Sequence, residues 1–222
     1  MSFAISEVTA GQLNAAVKNI MQQMGITDAG EAVRRINSKE WIVSEVARLG
    51  RERDGVIDLG IVTSDGTTGP QWIKRLEKKG FRLSKWAKDV LNSPDFKSTN
   101  GVITEVVVLK GMLWSDNDRT TKNIRVEAER KGLEKLNAEV ACLIREKFSD
   151  EEIEAMGLLW IVAMHEPIKD SGGDPCLLDA GRSGGGPWLG AAYDGSDGRW
   201  CSAFGFAFAR PQVSAQNSES QA

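Results

Sequence analysis

The stretch "VITEVVVLKG", Val102 to Gly111, constrains the fold more than any other. Val106, Val107, Val108 and Leu109 follow one another with no polar break. Successive side chains of a strand point to opposite faces, so a run of this kind predicts a strand buried on both sides. Helical patterns precede and follow it, and short apolar stretches close the chain. The order of elements therefore predicts an α+β protein.

Before this strand, Leu13, Val17, Ile20 and Met24 recur at helical spacing, and Gly25 stops the pattern. "TDAGEAVRRIN" restarts it, and "SKEWIVSEVARLG" aligns Trp41, Ile42, Val46 and Leu49. Residues 1–54 thus read as a helical N-terminal extension, suited to oligomerisation. Residues 55–100 read as a strand–helix–helix unit. In it "GVIDLGIV" is the strand, "QWIKRLEKKG" a helix ended by Gly80, and "FRLSKWAKDVLNS" a helix stopped before Pro94.

The same order follows the β-branched strand. "KNIRVEAERKG", "AEVACLIREKF" and the Ser149-capped "SDEEIEAMG" read as helices, and "LLWIVAMHEPI" as the next strand. An offset of about fifty residues aligns Gly80 with Gly132, Glu77 with Glu129, Leu91 with Leu143 and Phe96 with Phe148, which fits either a duplication of residues 55–100 in 109–150 or a coincidence of two weakly similar units. "CLLDAG", "PWLGAAY" and "WCSAFGFAFA" then read as antiparallel hairpins, and residues 214–222 as a disordered tail.

Bulk properties narrow the function classes. A net charge of −3 gives no global basic field, although one segment is locally basic. Cys142, Cys176 and Cys201 are odd in number and share no CxxC spacing, which argues against a disulfide framework and a structural zinc site and points to reduced thiols. No apolar run reaches the ~20 residues of a membrane span, and the start lacks a secretion signal, so a cytoplasmic protein is expected. His165 is the only histidine and reads as a structural residue at a strand end. No nucleophile–base pairing has supporting spacing, and no metal or cofactor is implied.

Composition supplies the strongest functional clue. Lys, Glu, Gln and Met make up 44 of 222 residues, so about eight are expected between Ser171 and Arg210, and none occurs there. Ile, Thr and Val are missing from the same window, which a preference for strands does not explain. Randomising the adenines of AAC or AAT codons leaves a pyrimidine at the third base. Such codons never encode Lys, Glu, Gln, Met or Trp.

With this gap, the segment "WLGAAYDGSDGRWCSAFGFAFA" resembles the variable region of target proteins of diversity-generating retroelements. Trp200 and "GFAF", Gly205 to Phe208, stand where that family carries a Trp and an aromatic "GF" ending. The whole chain also resembles proteins of small-genome candidate-phylum bacteria. The resemblance implies a C-type-lectin-like domain over residues 101–213, with two helices between its first and second strands. It implies recognition of an unknown protein or other macromolecular ligand, without catalysis. The variable face would comprise Asp179, Ala180, Gly181, Ser183, Gly190, Ala191, Ala192, Asp197, Arg199, Cys201, Ser202, Ala203 and Phe204. Leu189, Tyr193, Trp200, Gly205 and Phe206 would be its buried or half-buried scaffold.

Two other readings compete. Lys74, Arg75, Lys78, Lys79, Arg82, Lys85 and Lys88, interleaved with Trp72 and Trp86, could form a nucleic-acid face on a helix pair. "SDGTTG", Ser64 to Gly69, or the glycines Gly184 to Gly186 could cradle a phosphate, although neither matches a phosphate-loop pattern.

Overall fold

The computed structural model describes Asp28, Arg34 and residues 52–183, 185–195 and 198–211. The chain divides into two units, Met1–Val46 and Ala47–Ala222. Of the helical extension expected over residues 1–54, only Asp28, Arg34 and residues 52–54 are among the described residues, and the tail expected at 214–222 lies outside them.

Two strands open the second unit, β1 (Glu52–Arg53) and β2 (Val56–Asp65). Glu52 and Arg53 were assigned above to the helical extension but pair with β2 instead. Asp54 and Gly55 both take positive φ, 53° and 73°, and an Asp-Gly pair in that conformation makes a tight two-residue hairpin. Next come α1 (Gly69–Lys78), β3 (Arg82–Leu83) and α2 (Lys85–Asn92). The second helix is shorter than "FRLSKWAKDVLNS" predicts. Ser84 caps it, its hydroxyl accepting the Ala87 N–H at 3.0 Å, and the residues before that cap join a sheet edge.

The β-branched run is β4 (Asn100–Lys110). It is followed by a 3-10 turn (Gly111–Leu113) and three helices, α3 (Thr121–Arg130), α4 (Glu139–Lys147) and α5 (Asp150–Ala155). Strands β5 (Trp160–Ala163), β6 (Ile168–Lys169), β7 (Pro175–Ser183), β8 (Gly186–Tyr193) and β9 (Phe204–Ala209) complete the described chain. The protein is a mixed α+β fold built on one nine-stranded sheet, ordered β1-β2-β4-β9-β5-β7-β8-β3, with β6 beside β7. Residues 55–100 and the segment that follows share this sheet and one core.

The second half of β4, Val106 to Leu109, is buried on both faces, whereas Val102 and Ile103 at its start are exposed. Val106 and Val108 join a core with Trp72 and Leu76 of α1, Val90 and Leu91 of α2, Ile144 of α4 and Ile153 of α5. Val107 and Leu109 face the other way, into a core with Ile124 and Ala128 of α3, Phe206 and Phe208. We call these the first and second faces of the sheet.

The two aligned segments have similar helix ends. Helices α1 and α3 both have ten residues and follow Thr68 and Thr120. Each ends at a left-handed glycine, Gly80 at φ 85° and Gly132 at φ 68°. In each the next N–H reaches back to the helix, Phe81 to Leu76 O at 3.0 Å and Leu133 to Ala128 O at 2.9 Å. Yet α1 packs on the first face and α3 on the second, so equivalent helices serve different cores.

The C-terminal strands are not successive hairpins. Strand β8 pairs antiparallel with β7, β7 antiparallel with β5, and β5 parallel with β9. Strands β8 and β9 therefore run in the same direction, and the connection from Asp194 to Ala203 must return the length of the sheet. Strand β9 is inserted between β4 and β5.

Candidate functional site

The connection from β8 to β9 crosses the second face, and buried charges hold it there. The guanidinium of Arg119, itself 5% exposed, donates to Gly111 O at 2.7 Å, Trp114 O at 2.8 Å, Trp200 O at 3.1 Å and Asp116 Oδ1 at 2.9 Å. A planar fork with five N–H groups suits this work, because it satisfies several carbonyls from one position. The Trp200 N–H donates to Arg119 O at 3.0 Å, and its indole Nε1 donates to Thr121 Oγ1 at 3.0 Å. Its ring stacks edge-on against Phe206 at 5.6 Å. At the other end, Arg125 of α3 holds the buried Asp194 carboxylate at 2.9 Å.

What this frame leaves in solvent is small. Ser183, Arg199, Cys201 and Ser202 are exposed, while Ala203 and Phe204 are half-buried. Met112 and Leu113, exposed on the 3-10 turn, add an apolar rim, since Gly111 lies directly under the Cys201 and Phe204 carbonyls.

Four members of the proposed variable face are instead interior. Asp179, Ala180, Gly181 and Gly190 are buried, because β7 and the adjoining part of β8 lie inside the sheet. The indole of Trp160 lies over both glycines: a Cβ on Gly181 would sit 1.9 Å from that ring, and one on Gly190 only 2.2 Å from Asp179 Oδ1. Ala191 and Ala192 are half-buried and, as neighbours in a strand, point to opposite faces. Asp197 lies outside the described residues. Of the expected scaffold, Leu189, Gly205 and Phe206 are buried and Trp200 is half-buried. Tyr193, expected as a support, is 62% exposed because it ends β8.

The basic helix pair is largely committed to internal partners. Arg75 binds Asp65 and Glu146, Lys79 binds Glu146, and Lys88 binds Glu77 at 2.6 Å. Arg82 lies 5.4 Å from the Trp188 ring, and Trp72 is buried. Lys74, Lys78 and Lys85 remain exposed, without an ion pair among the described residues.

The Ser64–Gly69 turn is closed by its own side chains. The Thr68 N–H donates to Gln71 Oε1 at 2.8 Å, and the Thr67 hydroxyl donates to Asp65. The Thr67 hydroxyl and the Arg75 guanidinium hold the Asp65 carboxyl below its ordinary range, so an incoming phosphate would meet a fixed negative charge. Gly184 lies outside the described residues.

His165 has both ring nitrogens engaged. Nε2 accepts the Leu178 N–H at 2.9 Å, which places the proton on Nδ1, 2.6 Å from Glu166 O. Burial pushes its pKa down to about 4. A neutral ring already serving two backbone groups is a structural pin between β5 and β7 rather than a general base. All three cysteines are free, and the described residues contain no metal-binding group of His, Cys, Asp and Glu.

No protein-family model, curated protein or solved structure matches this chain. None of the helices described is long and apolar enough to cross a membrane.

Sequence reasoning did not find Arg119, Arg145 or the Arg125–Asp194 pair. A buried arginine looks like a surface charge in a sequence, and only the oxygens around it reveal its place.

Proposed function

We propose that the chain is a non-catalytic, cytoplasmic binding protein whose partner-contacting surface is diversified by a retroelement, on a C-type-lectin-like domain. The observation that carries this reading is a coincidence of composition and position. The window lacking Lys, Glu, Gln and Met builds β7, β8, the Asp194–Ala203 crossing and β9, and the crossing is pinned by Arg119 and Trp200. A fixed backbone with small exposed side chains suits variation of contacts without variation of fold. The order strand β4, helices, strand β5, hairpin and returning strand β9 also supports the lectin-like reading.

In this reading the contact set is drawn from Ser183, Arg199, Cys201, Ser202, Ala203 and Phe204, which are exposed or half-buried, while the buried Asp179, Ala180, Gly181 and Gly190 act as framework and Ala191 and Ala192 are half-buried. The nucleic-acid alternative is weaker, because Arg75, Lys79 and Lys88 are spent on internal carboxylates.

A substitution series tests the division between display and frame. Arg199→Asn, Cys201→Asn and Ser202→Tyr are expected to change unfolding free energy by about 0.5 kcal/mol or less, as at ordinary surface positions. Gly181→Asn and Gly190→Asn are expected to cost about 1–3 kcal/mol or more through overpacking against Trp160 and Asp179. Urea denaturation reads both sets. Large losses in the first set would show that the loop is frame, not display.

A further inference from the structure

Trp86, the one aromatic of α2, is largely exposed, and the capping of that helix explains why. With Ser84 as the cap, α2 turns Ala87, Val90 and Leu91 into the core and leaves the indole of Trp86 55% exposed. Tyr193, the only tyrosine, is likewise left in solvent at the end of β8. The two rings line one cavity of about 320 Å³, with Cys176 and Ala191 at its floor and Asp170 and Asp174 beside it.

Neither acid has an ion pair among the described residues, and the Asp170 carboxylate is held in place by backbone. Asp170 Oδ1 accepts the N–H of Gly172 at 2.8 Å and of Asp174 at 3.0 Å, which leaves its second oxygen available. Asp174 has no ion pair among the described residues, and no Lys or Arg lines the cavity. Asp89 stands near, taking the Ser171 hydroxyl at 2.6 Å. The floor reports the resulting field: burial, reinforced by Asp170, Asp174 and Asp89, pushes the Cys176 thiol up to about 11.

We propose that this cleft between α2 and the end of the β7–β8 hairpin binds an alkylated ammonium group. Aromatic faces attract cations through the ring quadrupole, and alkyl groups on nitrogen remove the hydration that would otherwise compete. A bare metal ion would use the carboxylates but gain nothing from Trp86 and Tyr193. A neutral apolar ligand would use the rings and leave the carboxylates unanswered. The cavity is at the small end of ligand sites, so it holds one head group rather than an extended molecule. That group is carried either by a free small cation or by a methylated lysine of a protein partner. The cleft opens on the first face, whereas Trp200 and Phe204 of the β8–β9 connection pack on the second. Of the residues lining the cleft only Ala191 belongs to the expected variable set, so binding here is tested separately from the exposed surface at Arg199–Phe204.

The test titrates the full chain with choline, with N-acetyl-trimethyl-lysine amide and with 3,3-dimethylbutan-1-ol, the neutral isostere of choline, while following tryptophan fluorescence. Saturable binding is expected for at least one cation, at least about tenfold tighter than for the isostere. Trp86→Ala and Tyr193→Ala, both at exposed positions and checked for unchanged melting temperature, are expected to abolish or strongly reduce it. Asp174→Asn is expected to weaken it severalfold. Tighter binding of the lysine derivative assigns the group to a protein partner, and tighter binding of choline assigns it to a free cation. The proposal is overturned if neither cation saturates, if the isostere binds equally well, or if folded Trp86→Ala responds like the parent chain.

Discussion

Replacing Arg145 by methionine is expected to lower the unfolding free energy by about 3–5 kcal/mol, the usual consequence of removing one partner from a buried charge pair. The side chain leaves α4 with no solvent exposure. Its guanidinium donates to Gly181 O at 2.7 Å and Phe148 O at 2.5 Å, and lies 2.9 Å from Asp150 Oδ1. It also sits 5.3 Å from the Phe81 ring. One residue thus ties β7, the turn between α4 and α5, and the loop after α1. Methionine fills much of the volume but leaves two carbonyls without their donor and a carboxylate without its counter-ion, so packing does not rescue it. Lysine is expected to fail nearly as badly, because a single ammonium lacks the fork that reaches both carbonyls while facing Asp150. Urea denaturation of the two variants reads the effect. A loss below about 1 kcal/mol would mean that these contacts are dispensable.

The second large effect depends on pH. Asp179 is buried beside Gly190 and Trp160, and its Oδ1 has no hydrogen-bond partner. Burial pushes its pKa up from 3.8 to about 7, against a smaller opposing contribution from the Gly190 backbone. The folded state therefore holds this proton more tightly than the unfolded chain does. Its contribution to stability is fully present only below the unfolded value of 3.8, falls as pH rises towards about 7, and is lost above. Asp179→Asn, which cannot ionise, is expected to be the more stable protein at pH 8, by an amount on the order of a few kcal/mol. At pH 4 the two should be close. His165, whose pKa burial pushes down to about 4, works in the opposite sense: its contribution is lost as pH falls from about 6.5 to 4. The difference between variant and parent, rather than either profile alone, isolates Asp179. Parallel profiles from pH 4 to 8 would place the Asp179 carboxylate in a solvated site.

The residues that announced the fold were those whose local chemistry agrees with their final place. Val106 to Leu109 demanded cover on two faces and have it. Gly80 and Gly132 end helices because their positive φ suits no other residue as well. The Ser149 cap likewise acts locally, its hydroxyl accepting the Glu152 N–H at 3.2 Å. Sheet order was not legible, because nothing in β9 itself says that it enters between β4 and β5. The contact surface depended on that order. Asp179, Gly181 and Gly190 read as variable polar and small positions, yet the location of β7 between β5 and β8 makes them interior. Tyr193 failed in the opposite direction, since a strand end exposes what a strand centre buries.

The most direct test of a diversified surface is the sequence of the DNA encoding Asp179 to Phe204, together with several kilobases on either side. The account predicts a near-copy of this segment beside a reverse-transcriptase gene. The two copies should differ almost only at adenines, within the codons for Ser183, Arg199, Cys201, Ser202, Ala203 and Phe204. The codons for Gly181 and Gly190, which have no room for a side chain, should match between copies. A locus with no such copy, and with purines at the third base of the exposed codons, would contradict it.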